Sequence, residues 1–115
     1  MARAATTTDV FNAIAEPRRR QIVELLSQRG ALAVGVLVTA LELPQPAVSK
    51  HLGVLRKVGI VSVARQGQQR VYELDAQKLK VIHDWTKQFE RHWSHQLDRI
   101  KLRAERCARA EKDDD

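Results

Sequence analysis

Gln45, Ser49 and Lys50 fall within the run Gln45-Pro46-Ala47-Val48-Ser49-Lys50-His51, and each carries a group that can bond a base edge. A glutamine amide can bond adenine bidentately, and a lysine ammonium reaches the acceptors of guanine. Ala47 is small and lies on the same outward side as Ser49, Gly53 and Arg56 once the run is read with a helical period. Arg56 and Lys57 come later, where a cation suits phosphate better than a base. Arg65, Gln68 and Arg70 surround Gly67 in a polar, basic turn that suits a grip on a backbone. His51 reads as a structural residue or a phosphate contact rather than a metal ligand. The ordinary alternative is a solvated helix face followed by a charged hairpin. The succession of these groups favours double-stranded DNA over that alternative.

Other chemistry finds less support. Cys107 is the single cysteine, so no disulfide can close within the chain and no thiolate-rich metal site can be built. There is no glycine-rich phosphate loop, nucleophile elbow or paired histidine–cysteine arrangement, which argues against an enzyme and its catalytic residues. His92, His95 and Asp98 are spaced to share one side of a helix, which Asp84 could join only from a second copy, and His83 lies earlier in the chain. Beside Trp85 and Trp93 they read as surface or interface residues. No metal or other cofactor is expected.

The elements that must hold these residues can be read from periodicity and caps. Val10 to Ile14 begins a first helix, capped by Thr7, Thr8 or Asp9 and ended near Glu16 by Pro17. Pro17 opens a second, with Ile22, Val23, Leu25 and Leu26 on its apolar face and Gly30 at its end. Arg18, Arg19 and Arg20 crowd its start against the helix dipole, which calls for another reason. Ala31 and Leu32 suggest a short strand, Val34–Leu41 a third helix, and Leu43-Pro44-Gln45-Pro46 a turn. A fourth helix spans about Ala47 to Val58, with Val48, Leu52 and Leu55 inward. Val61 and Val63 then alternate with polar or small residues, and Arg70 to Leu74 returns, giving a β-hairpin with a long loop. Asp75 caps a last helix of about residues 76–108, and an acidic, disordered tail of about 109–115 follows.

The fold class is therefore mainly α with a small β-hairpin, in the order of a winged helix-turn-helix, as a single domain of residues 1–115. The bulk numbers agree. Of the 115 residues 43% are hydrophobic and 30% charged, and the net charge is +6 with a pI of about 10.0. That balance suits a folded chain with a polyanionic partner. No long apolar run or secretory leader is seen, so no membrane is involved and a cytoplasmic location is the default.

At this point the residues resemble a known family. Ala15-Glu16-Pro17-Arg18-Arg19-Arg20-Gln21-Ile22, Ala31-Leu32-Ala33-Val34-Gly35, Pro46-Ala47-Val48-Ser49-Lys50-His51-Leu52-Gly53-Val54-Leu55 and Gly59-Ile60-Val61 look like the ArsR-type, or arsenical-resistance repressor, regulators. The likeness spans about Val10 to Ile100. It implies a dimeric winged-helix repressor, often of its own operon. The family's best-known metal site would place cysteines at Ala33 and Gly35, which cannot ligate. The resemblance is closer to metal-independent members with aromatic last helices. A runner-up reading is a metal-responsive repressor with zinc between the C-terminal helices. Pro44 departs from the family's usual polar cap, which implies a shifted or weaker start to the recognition helix. Val36 and Val38 are apolar where members are usually polar.

The last helix is longer than one small domain can cover. Phe89, Trp93, Leu97, Ile100, Ala104 and Cys107 follow steps of four and three, as in a coiled-coil seam. Trp85 and Phe89 can pack on the domain's own core. From Trp93 onward the stripe is expected to meet a second copy, together with Val10, Phe11 and Ile14. The chain thus reads as a homodimer that dimerises through its terminal helices and represses transcription at an inverted-repeat operator; the residues name no inducer.

Overall fold

The computed structural model describes the backbone of residues 9–113 and the side chains of all of these but 97 and 109–113. The chain divides into two units, one up to Ile82 and one from His83.

In the first unit the helix order follows the caps. Helix α1, Val10–Ala15, starts at Asp9, whose carboxylate accepts the Asn12 N–H at 2.8 Å. Thr7 and Thr8, the other expected caps, lie outside the described residues. Glu16 ends α1 in an extended conformation and caps α2, Pro17–Arg29, by accepting the Arg19 N–H at 3.2 Å. Pro17 is the first helical residue, where no N–H is needed. Gly30, at φ 82°, ends α2 in a conformation that side chains resist.

The arginine triplet also has its reason. Arg19 donates from Nε to the Ala13 carbonyl at 2.5 Å and from its terminal nitrogen to Asn12 at 3.3 Å. Arg20 donates to the carbonyls of Ile14 at 2.8 Å and Ala15 at 3.1 Å. A short helix leaves its last carbonyls unpaired. Two guanidiniums from α2 satisfy those of α1 and also face the negative end of its dipole. Among the described residues Arg18 bonds Gln21, on its own helix.

Strand β1, Leu32–Ala33, sits one residue later than the expected strand, because its partners across the ladder are Tyr72 and Val71. Helix α3, Val34–Leu41, keeps its expected bounds. Glu42 closes it in the left-handed conformation, at φ 54°. Helix α4, Gln45–Lys57, starts two residues before the expected Ala47. Pro44 stands at its cap without a side-chain bond, but its carbonyl accepts Ala47 N–H at 3.0 Å and Val48 N–H at 3.2 Å. The two prolines set the entry by their fixed φ rather than by a polar cap.

Strands β2, Val61–Gln66, and β3, Gln69–Leu74, pair antiparallel, and β1 adds to β3 in the order β1-β3-β2. The expected long loop is absent. The ladder runs out to Gln66 opposite Gln69, and Gly67 and Gln68 alone make the turn. Gly67 has φ 62° and Gln68 does not share a positive φ, the pattern of a type II′ hairpin turn. The core gathers Ala13, Ile22, Leu26, Leu37, Leu41, Val48, Leu52, Leu55, Ile60, Val61 and Tyr72. Val38 packs on its edge. Val36 stays at the surface, and nothing in the structure explains it.

The segment expected as one helix over residues 76–108 is interrupted. Ala76–Leu79 forms a single 3-10 turn, started by Asp75 accepting the Gln77 N–H at 3.2 Å. Helix α5, Lys80–Thr86, follows and bridges the division between the units. Within the second unit Lys87–Phe89 tightens to 3-10 before α6, Glu90–Asp113. Thr86 donates its hydroxyl to the His83 carbonyl at 2.8 Å, and the Gln88 amide donates to the Trp85 carbonyl at 3.0 Å. Side chains thus take carbonyls that a continuous helix would use. Helix α6 runs past the expected end at 108, while residues 114–115 of the acidic tail lie outside the described residues.

Candidate nucleic-acid interface

A recognition helix must bury one side and offer the other. Val48, Leu52 and Leu55 are buried under α4, whereas Gln45, Ser49, Lys50, Arg56 and Lys57 are exposed and Ala47 is half-buried. Gln45 is the first residue of the helix, and Lys50 and Ser49 lie one turn on. Arg56 and Lys57 occupy the last turn, where cations also favour the helix dipole.

The wing brings Arg65 directly opposite Arg70 in the β2–β3 ladder. Opposed residues share a face, and alternation puts this pair on the same face as Val61, Val63 and Tyr72. The core-facing side of the hairpin therefore continues outward as two guanidiniums. Like charges placed opposite each other weaken a strand pair. Among the described residues no carboxylate lies within ion-pair distance of Lys50, Arg56, Lys57, Arg65 or Arg70.

One open cleft of about 550 Å³ joins these elements. Ala33 of β1 and Val34, Gly35 and Val36 at the start of α3 line it, α4 contributes Gln45, and the wing contributes Gln68, Gln69 and Arg70. Gln69 was not singled out from sequence. Its only signal is its place directly after the two-residue turn. The cleft unites Gln45 with Gln68 and Arg70, while Arg56 and Lys57 lie at the far end of α4.

His51 departs from its neighbours. It is half-buried, and its Nδ1 lies 3.8 Å from Oε2 of Glu16. That nitrogen is shut off from solvent without a hydrogen-bond partner. Its placement favours the structural half of the reading from sequence. Glu16, which has no outward role in the spacing pattern, was missed as its partner.

In the second unit, His92, His95 and Asp98 line α6, and among the described residues no three histidine, cysteine or carboxylate side chains gather around one point. Asp84 lies 4.0 Å from Lys87. Trp85 and Phe89 meet edge to face, with centroids 5.1 Å apart. Phe89, Trp93, Ile100 and Ala104 are all exposed on the chain, and Cys107 is a free, exposed thiol. The Leu97 side chain lies outside those described. In the first unit Val10 and Ile14 are half-buried and Phe11 is exposed. No helix among the described residues is long and apolar enough to cross a membrane.

Helices α2, α3 and α4, the last two joined by a short turn, and a β-hairpin carrying two opposed arginines define a winged helix-turn-helix, a class that binds DNA. Residues 16–63 match the bacterial regulatory protein arsR family. The chain is 39% identical over 87 residues to an HTH-type transcriptional regulator of Mycobacterium tuberculosis, covering 76% of this chain and 78% of that protein. It is 32% identical to the transcriptional repressor SdpR of Bacillus subtilis, over 70% of this chain and 89% of that one. A solved ArsR-like transcriptional regulator from Rhodococcus superposes with a TM-score of 0.65 at 26% identity, over 84% of this chain and 87% of that one. The chain belongs to the ArsR family of DNA-binding transcriptional regulators, and its relatives are regulators rather than enzymes.

Proposed function

We propose that this regulator is a cytoplasmic repressor that acts as a homodimer on an inverted-repeat operator, without a metal. Gln45, Ala47, Ser49 and Lys50 read base edges from α4. Arg56, Lys57, Arg65, Gln68 and Arg70 hold the backbone. The observation that carries this reading is the opposed arginine pair on the wing, one residue pair short of its turn, with Arg70 lining the same cleft as Gln45. Opposed guanidiniums cost the free protein stability, and a phosphate between them offsets that cost.

The dimer reading rests on α6, which has no buried side chain among those described and carries an apolar stripe. Val10, Phe11 and Ile14 of α1 join Phe89, Trp93, Leu97, Ile100 and Ala104 in covering it. Two recognition helices related by a two-fold axis then enter grooves about one turn, roughly 34 Å, apart. Metal independence rests on Ala33 and Gly35, which offer no ligand atoms at the start of α3.

The test is a mobility shift with duplex from the region upstream of the gene, repeated over rising salt. The expected result is one dimer per inverted repeat, with affinity falling steeply as counterion release loses its benefit. Salt-independent binding, or tighter binding to a single half-site by a monomer, would contradict the reading. A reporter fused to the same region fixes the sign, since a repressor's removal raises expression.

A further inference from the structure

Glu16 stands where α1 ends and α2 begins. Its Oε2 accepts the Arg19 N–H at 3.2 Å and lies 3.8 Å from Nδ1 of His51, in the middle of α4. Among the described residues no other carboxylate comes within ion-pair distance of His51. On either side of His51, Lys50 faces outward and Leu52 enters the core. An apolar side chain would fill this place without leaving a buried nitrogen unpaired. What an imidazole adds is direction. A proton on Nδ1, which an imidazole can carry and an apolar side chain cannot, attracts the ring to the carboxylate and adds to the restraint that buried Val48, Leu52 and Leu55 place on the rotation of α4. That rotation decides where Ser49 and Lys50 point.

We propose that His51 is a positioning residue for DNA recognition, held by Glu16, and not a DNA contact. The proposal deepens the regulator reading and rests on it. The same carboxylate belongs to the corner after α1, so it ties the helix carrying Val10, Phe11 and Ile14 to the helix that reads bases. The pair acts as a strut between the assembly face and the recognition face.

The experiment uses duplex enriched by the wild-type protein from a randomised pool, with an unrelated duplex as reference. His51→Leu should bind the enriched duplex about tenfold more weakly, a change that corresponds to about 1.4 kcal/mol. Binding to the unrelated duplex and thermal unfolding should change little. His51→Asn places an amide N–H near the position of Nδ1 and should restore most of the affinity. Glu16→Ala should reproduce the His51→Leu loss, and the double variant should be no weaker than either alone. If Glu16→Ala binds as wild type while His51→Leu does not, His51 touches DNA itself and the proposal fails. Wild-type affinity in His51→Leu also overturns it. Failure of the wild-type protein to enrich any duplex would instead remove the DNA reading beneath it.

Discussion

Arg65 and Arg70 differ from Gln45 and Ser49 in what they can tell apart. A phosphate is the same at every base pair, whereas a base edge is not. Gln45→Ala or Ser49→Ala should lower discrimination between operator and random DNA by about 1–3 kcal/mol per base contact, measured by competition binding. Arg65→Ala or Arg70→Ala should weaken both DNAs alike and reduce the salt slope by about one. A change of sequence preference in the wing variants alone would reverse these roles. The outward set on α4 was legible because a helical period separates Ser49 and Lys50 from Val48 and Leu52. The partner of His51 was not, because Glu16 lies on another helix and only packing brings the two together. The arginines at the start of α2 were legible as an anomaly, and their acceptors on α1 explain it.

Two elements rest on local chemistry that can be measured. Glu42 holds the end of α3 in a left-handed conformation. A side chain there costs about 1 kcal/mol or more that glycine avoids. Glu42→Gly should therefore raise the urea midpoint with an unchanged slope, a gain of about 1 kcal/mol at most once the flexibility of glycine in the unfolded chain is counted. The clamp on α1 works the other way. Arg20→Ala removes the donor to two carbonyls and should cost about 1 kcal/mol, small because the group is exposed to solvent. The loss should show as faster amide exchange in α1, with α4 unaffected. Helix order and helix faces were readable from proline, glycine and apolar spacing. The wing's length was not, since the polar residues Arg65, Gln66 and Gln69 look like loop until cross-strand pairing claims them. The interruption after Thr86 escaped for a similar reason. An apolar stripe records which side is covered and says nothing of side-chain hydroxyls and amides that capture carbonyls.

At the scale of the whole molecule the question is what covers α6. Ile100 is 64% exposed on the chain and Trp93 40%, more than a stripe of this spacing tolerates in isolation. Burial against a second copy would stabilise each such side chain by about 1.5–3 kcal/mol. Ile100→Asp should then split the dimer in sedimentation and lower operator affinity with α4 untouched. A variant that stays dimeric at full affinity would remove α6 from the interface. Chelator-treated protein should bind DNA as the untreated protein does, and stoichiometric zinc lost on replacing His92 and His95 together would overturn metal independence. The clamp described above has one more consequence, and it concerns order in time. At 6 residues α1 is far shorter than the roughly 12–15 at which an isolated helix becomes even marginal in water. Its last carbonyls are satisfied by residues that leave the ribosome after it. During synthesis α1 must wait for α2, so the face proposed to meet a second copy takes shape only after that helix has formed.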